Sequence, residues 1–413
     1  MRAPVYLDYN AGAPIRPEAR AAAVCALDIG GNPSSVHATG RLARAAVERA
    51  REQVAALVGA APDQLTFTSG GTEANALAIH AAIASGARRP IVLATEHDSV
   101  MATATATGLW VEAWPVNGRG VADLDWLRDR LHAWPREDGA PFVALALANH
   151  ETGVIQPVVQ AAALAHEAGG RLHVDAVQGA GKIEVDFGGL GADTMALSGH
   201  KLGGPQGVGA LVAGPRAELR RLQFGGGQER GLRAGTENVP GIAGFGAAAG
   251  AVMSDLAHVR HPEEARRAVS KDALELPCVV RDALRAPHHD ERWNNGAEEA
   301  SARLASAGAV IAGEGAPRLP GVLCTAVEGW ASALQVMALD LEGVRVSAGA
   351  ACSSGKVRAS GVLTAMGFGA LADGALRASG GWATTAEDWD RFADVWLEAY
   401  ARHTARRRVK EYA

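Results

Sequence analysis

Thr194-Met195-Ala196-Leu197-Ser198-Gly199-His200-Lys201-Leu202-Gly203-Gly204-Pro205 sets one lysine directly after an apolar run and directly before a glycine-rich turn. The run reads as a strand, and the small residues behind it end that strand in a turn that backbone can approach closely. An amine held there is either an ordinary loop lysine or one that condenses with an aldehyde through its side-chain nitrogen. The stretch alone leaves both readings open, and the company it keeps has to decide.

Working outward, strand-like apolar runs at 65–68, 91–94, 111–114, 142–147, 172–175 and 209–212 alternate with helical stretches at 42–58, 72–83, 124–134 and 158–168. In the first of these helices Val47, Ala50, Val54 and Leu57 recur at helical spacing, with arginine and glutamate between them. Such alternation predicts an α/β fold with a mainly parallel sheet covered by helices on both faces. Ligands in such sheets bind at the carboxyl ends of the strands, where the polar motifs of this chain fall. Past Gly250 the character changes. Residues 254–300 are charged and irregular, strands and helices resume from Pro320, and an amphipathic helix is expected at 387–401. A large domain at 13–255 and a smaller one made from 256–413 with residues 1–12 are therefore expected.

The 413 residues are 48% hydrophobic and 21% charged with a net charge of −5, which is globular composition without a basic field for nucleic acid. Cys25, Cys278, Cys324 and Cys352 follow no metal-ligand or disulfide spacing. The N-terminus has no signal-peptide core, and no apolar run is read as long enough to span a bilayer. A cytoplasmic protein without a membrane or nucleic-acid partner is the expectation. His288 and His289 beside Asp290 and Glu291 can form a metal site, but without a third anchored ligand a solvated loop and no metal are expected. The five basic residues between Arg402 and Lys410 read as a solvated helix end.

Four local patterns fit one ligand. In Phe67-Thr68-Ser69-Gly70-Gly71-Thr72-Glu73-Ala74-Asn75 a strand, a glycine turn and a helix start meet, so free N–H groups and the Thr72 hydroxyl converge as a phosphate site does. A plain helix cap has the same look. In Leu172-His173-Val174-Asp175-Ala176-Val177-Gln178 an aspartate ends an apolar strand. It either caps the next segment of chain or keeps a pyridinium nitrogen protonated. His97, in Thr95-Glu96-His97-Asp98-Ser99, can stack on an aromatic ring and carry protons, or serve the loop alone. In the opening stretch Ser198 and His200 can join the phosphate site while Lys201 forms the imine. Phosphate cradle, ring partner, stacking group and amine together describe pyridoxal phosphate. Cys352, in Ser347-Ala348-Gly349-Ala350-Ala351-Cys352-Ser353-Ser354-Gly355, is a candidate nucleophile on a run of small residues, the alternative being an inert filler. Arg377, in Leu376-Arg377-Ala378-Ser379, suits bidentate capture of a carboxylate or a surface salt bridge.

These residues resemble the cysteine desulfurases of the NifS/IscS type, within the fold-type I pyridoxal-phosphate enzymes of the class-V aminotransferase group. Tyr6-Leu7-Asp8-Tyr9-Asn10-Ala11, Gly31-Asn32-Pro33-Ser34-Ser35, Glu151-Thr152-Gly153 and the run from Gly225 to Thr236 extend the likeness. The resemblance implies a fold-type I architecture, a homodimer, and release of L-alanine from L-cysteine. The sulfur would be left as a persulfide on Cys352 for a protein acceptor such as an iron–sulfur scaffold. It implies that Lys201 holds pyridoxal 5'-phosphate, that Gly71, Thr72, Ser198 and His200 bind its phosphate, and that Asp175, Gln178 and His97 contact its ring. Thr236 would reach the phosphate of the neighbouring subunit, and Arg377 and Asn10 would bind substrate. His150 departs from the family, standing where a second asparagine normally donates to the ring hydroxyl, a bond that imidazole can also make. The interval from Thr236 to Cys352 is longer than the family's, and 254–300 carries the excess.

Overall fold

The computed structural model describes residues 3–260, 292–349 and 359–411. Cys352, Cys278 and the His288–His289 pair lie outside the described residues, as does most of the irregular 254–300 stretch. The chain opens with strand β1 (Val5–Tyr6) and helices α1 (Pro17–Ile29) and α2 (Ala38–Leu57). Strands and helices then alternate through β2 (Leu65–Thr68), α3 (Gly71–Ala84), β3 (Pro90–Leu93), α4 (Asp98–Ala106), β4 (Glu112–Trp114) and α5 (Leu124–His132). They continue through β5 (Phe142–Ala146), α6 (Val158–Glu167), β6 (Arg171–Asp175), the short α7 (Phe187–Leu190), β7 (Thr194–Ser198) and β8 (Gly209–Ala213).

Strands β2 to β8 form one sheet in the order β2-β8-β7-β6-β5-β3-β4. The mainly parallel sheet expected from the alternation is present, and only β8 runs against its neighbours β2 and β7. The reversal has a local cause. Residues 199–208 alone join β7 to β8, wound tightly through Gly203 and Gly207 at φ 84° and 75°. That link is too short for the crossover a parallel neighbour requires. Strands β5 and β7 are buried along their whole length, which a sheet covered on both faces demands of its central strands. Their carboxyl ends, with that of β6, deliver Asp175 and Ser198 to one side of the sheet.

Helix α8 (Val239–Arg260) corrects one expectation. Its window Val239–Leu256 is long and apolar enough, by length and composition, to cross a membrane. In the fold it packs on α1 and α2, with Ile242, Phe245, Ala248 and Val252 buried in the main core. Small residues allow that approach. A Cβ on Gly246 would lie 2.5 Å from Ala50 Cα, and one on Gly244 would lie 3.0 Å from the Ala19 carbonyl oxygen.

The remaining elements are α9 (Arg292–Ser306), β9 (Val310–Ile311), β10 (Val322–Ala326), α10 (Ser332–Leu341), β11 (Val344–Arg345), β12 (Ser347–Ala348), α11 (Gly361–Ala365), β13 (Ala375–Ser379) and α12 (Ala386–Glu411). An antiparallel sheet runs β12-β13-β10-β9, and β1 pairs in parallel with β11. Val5 and Leu7 share a second core with Trp330, Trp389, Phe392 and Trp396, so the N-terminal segment packs with the C-terminal part. Helix α12 runs past the expected end at 401 and through the basic tail to Glu411. Its described basic side chains, Arg402, Arg406 and Arg407, are exposed as expected of a solvated end, while Arg402 faces Glu342 at 3.6 Å and Arg407 donates to the Glu328 carbonyl at 3.3 Å.

The segment carrying Thr236 is tied down by a buried ion pair. Glu229 accepts from two Arg51 nitrogens at 2.8 Å each and from the Phe67 N–H at 2.8 Å. Glu229 and Arg230 both hold left-handed backbone, φ 46° and 57°, a conformation that non-glycine residues keep only when their surroundings enforce it. Glu229→Gln leaves the buried Arg51 cation with only the half-exposed Glu48 carboxylate as counter-charge. The expected loss is about 3 kcal/mol of stability, read as a lower denaturant midpoint in urea unfolding.

Candidate active site

The turn after β7 brings Lys201 back over the N-terminal segment, where its Nζ donates to the carbonyls of Asn10 (2.5 Å) and Ala11 (2.9 Å). Gly199 makes the turn possible, since a Cβ there would lie 2.9 Å from the Val208 side chain. Ser198 is buried at the strand end with its Oγ 2.9 Å from His200 Nδ1. Burial, with the Lys201 cation next to it, brings the His200 pKa down to about 4, so its ring is neutral near pH 7.

Gly71 opens α3, and a Cβ on it would meet Val177 at 2.6 Å and the Ser198 side chain at 3.5 Å. Glycine thus lets the amino end of a 14-residue helix sit directly on the end of β7. Thr72 is exposed beside it. Free N–H groups and the positive end of the helix dipole face the same place, which favours an anion.

Asp175 ends β6 with both oxygens engaged. Oδ1 accepts from the Val177 N–H at 2.9 Å, and Oδ2 accepts from Asn75 Nδ2 at 2.7 Å. The local turn contact thus occupies one oxygen and the Asn75 amide the other. Asn75 is oriented in turn by His173, whose Nε2 lies 2.9 Å from Asn75 Oδ1. A second carboxyl lies close by. Glu96 Oε1 accepts from the N–H of Ala146, the residue paired with Asp175 across β5 and β6. Its Oε2 is buried without a hydrogen bond. Burial, then the Asp175 charge, raises the Glu96 pKa well above the ordinary carboxyl range.

That shift has a consequence for stability. With the folded pKa raised, the contribution of Glu96 is fully present below its unfolded pKa, about 4.3, and is lost as pH rises through the folded value. Glu96→Gln lacks that ionisation. The thermal midpoint of the wild type is therefore expected to fall relative to the variant as pH is raised from that region. Parallel midpoints over the series would contradict it.

His97 caps α4, accepting from the Ser99 N–H at Nδ1 (3.0 Å). A backbone donor at Nδ1 leaves the neutral ring's proton on Nε2. The ring meets His150 edge to face, with centroids 5.2 Å apart. His150 is kept neutral by burial and by the positive groups around it, His97, Arg377 and Lys201, which together lower its pKa well below the ordinary value.

Arg377 lies on β13 and is 3% exposed, so its ion pair with Asp8 at 2.8 Å is not the superficial bridge that sequence left open. Its Nη1 donates to the His150 carbonyl at 3.0 Å, and its buried Nε has no partner. Asn10 joins these groups. Its N–H donates to Ser379 Oγ (3.0 Å), and its Nδ2 donates to the same His150 carbonyl (3.0 Å). Gln178 Nε2 donates to the Asn10 carbonyl at 3.0 Å.

Lys201, His200, Ser198, Asp175, Gln178, His97, His150, Asn10 and Arg377 thus gather along the carboxyl ends of the sheet and the start of the N-terminal segment. Thr236 stands exposed to solvent. Cys352 lies outside the described residues, between Gly349 and Ala359. Sequence reading missed Asn75, Glu96 and Lys182. Asn75 and Glu96 stood inside quoted motifs, and Lys182 comes four residues after Gln178, a spacing that brings two side chains together on a turn.

The family described as Aminotransferase class-V matches residues 5–281. A cysteine desulfurase of Cereibacter sphaeroides is 39% identical over 401 residues, 95% of this chain and 94% of that protein. The cysteine desulfurase IscS of Dictyoglomus turgidum is 36% identical over 406 residues, 96% of this chain and 94% of that protein. Among solved structures, a NifS-like protein from Rickettsia africae matches with a TM-score of 0.81 at 28% identity, covering 96% of this chain and 99% of its own.

Proposed function

This chain belongs to the class-V aminotransferase family and, within it, to the cysteine desulfurases, and from that premise we propose that it uses pyridoxal 5'-phosphate to move the sulfur of L-cysteine onto Cys352. The residues present fit that cofactor. Lys201 offers an amine, α3 and Ser198 an anion site, Asp175 a buried carboxyl oriented by Asn75, and His97 a half-buried ring above the strand ends. Gln178 and His150 would contact the cofactor's ring. When bound, the cofactor supplies an electron sink that acidifies the substrate Cα–H.

The chain's own residues do the rest. Arg377, with an unpartnered buried Nε, and Asn10 hold the substrate carboxylate. Lys201 Nζ takes the Cα proton, with His97 as a second group for proton transfer. The Cys352 thiolate attacks the substrate sulfur. An S–S bond forms as the Cβ–S bond breaks, the bonding pair stays with carbon, and carbon takes a proton. Alanine leaves and a persulfide remains on Cys352.

The observation that carries this reading is the junction at Asn10 and His150, where the Lys201 amine and the Arg377 guanidinium meet from different sheets. Amine chemistry and carboxylate capture are needed within one substrate's length of each other. The test is incubation of purified protein with L-cysteine and a thiol reductant. Stoichiometric alanine and sulfide without a keto acid support the reading, and transamination that requires a keto acid overturns it.

The exposed Thr236, on a loop braced by Arg51 and Glu229, favours a homodimer in which it serves the neighbouring phosphate site. The persulfide is destined for a protein acceptor of iron–sulfur cluster assembly. Thiol chemistry of this kind belongs in a reducing cytoplasm, consistent with Cys25 and Cys324 being free.

A further inference from the structure

Lys182 lies deep in the fold yet lines the cleft, so part of its surface stays accessible. Gly181 turns the chain at φ 83° to bring it there, and a Cβ on Gly181 would lie 2.3 Å from Leu202 Cδ2. Its Nζ makes two hydrogen bonds, both to amide oxygens, Asn10 Oδ1 at 2.5 Å and Gln178 Oε1 at 2.9 Å. The charged groups acting on it are Lys201 and Arg377, both cations. A lysine in such a place costs desolvation without the return of a salt bridge, so a reason for its presence lies in what it does to its partners.

With Nζ donating in both bonds the amide oxygens face it, so Lys182 fixes the flip of both amides. Their nitrogens then point the other way, and each gives one hydrogen to a backbone carbonyl, Asn10 Nδ2 to His150 and Gln178 Nε2 to Asn10. One hydrogen on each nitrogen is left over. Each amide thereby keeps one N–H to donate. A flipped amide would instead turn its oxygen on an anion and repel it.

We infer that Lys182 is a positioning residue that locks Asn10 and Gln178 as hydrogen-bond donors to anionic groups, namely the substrate carboxylate and the cofactor's ring oxygen. The inference rests on the proposed cysteine desulfurase reaction for its ligands. The test compares the cofactor-loaded full chain with Lys182→Met, which keeps the stem and removes the donor, and Lys182→Arg, which keeps donors. In Lys182→Met the KM for L-cysteine is expected to rise roughly tenfold, as for loss of one charge-assisted bond, with a smaller change in kcat. Its affinity for added pyridoxal phosphate, from visible absorbance on titration, falls by a similar factor, and Lys182→Arg recovers part of both. The thermal midpoint of each variant is measured alongside. Unchanged KM and cofactor affinity in Lys182→Met overturn the inference. So does an equal loss in both variants that tracks a lowered thermal midpoint, which would make Lys182 a packing residue. If the wild type makes no alanine, the functional reading fails, while the cofactor titration still decides the role of Lys182.

Discussion

Lys201→Ala is expected to abolish turnover, with kcat lower by roughly a thousandfold or more, the scale of a lost proton-transfer group. The visible absorbance of a covalently held cofactor should disappear with it. Among the described residues the geometry leaves no substitute. Lys182 is the other described amine in the cleft, but its Nζ is committed to Asn10 Oδ1 and Gln178 Oε1. His200 and His150 have pKa values lowered by burial and by Lys201, and an imidazole cannot form the covalent link that an amine can. Removing Lys201 also frees the Ala11 carbonyl and leaves the Asn10 carbonyl to Gln178 Nε2 alone, which makes the N-terminal segment a little looser without opening the core. A variant that keeps both the band and the turnover would show that Lys201 is an ordinary loop lysine.

Cys352→Ser is expected to end alanine production equally completely while leaving the visible band unchanged. Serine keeps the size of cysteine, but its hydroxyl neither ionises near neutral pH nor accepts a sulfur atom. The described thiols, Cys324 and Cys25, offer no relief. Cys324 pairs with Arg377 in the strand register and so lies temptingly near, yet it is wholly buried, and burial pushes its thiol far up from the ordinary value. Cys25 is exposed on α1. Cys324→Ser is accordingly expected to retain activity. Persulfide formation in Cys352→Ser, detected by alkylation and mass measurement, would transfer the sulfur-accepting role to another thiol.

The sheet and most of its helices were legible because apolar periodicity is a local property. Strands β5, β6 and β7 announced themselves as short apolar runs, and α2 as Val47, Ala50, Val54 and Leu57. The direction of β8 was hidden, since it depends on how ten residues wind between Ser198 and Gly209 rather than on any one of them. The apolar length of α8 was overlooked, and composition alone does not place it, because a helix enclosed by α1 and α2 is as apolar as one enclosed by lipid. In the site, Lys201, Asp175 and His97 were found because each stands at the end of a strand. Asn75, Glu96 and Lys182 were missed because their meaning comes from partners far along the chain, Asp175 lying 100 residues from Asn75 and Asn10 lying 172 from Lys182.

Distance along the chain matters most at the N-terminal segment. Asp8 pairs with Arg377, and Asn10 with Ser379, each across 369 residues. On a ribosome adding ~5–20 residues per second, Asp8 and Asn10 emerge roughly 20 to 70 seconds before those partners exist. The parallel sheet can assemble in that interval, but the carboxylate-binding corner cannot. A nascent chain therefore holds its first dozen residues in waiting, and the cleft becomes competent to bind substrate only as translation nears its end.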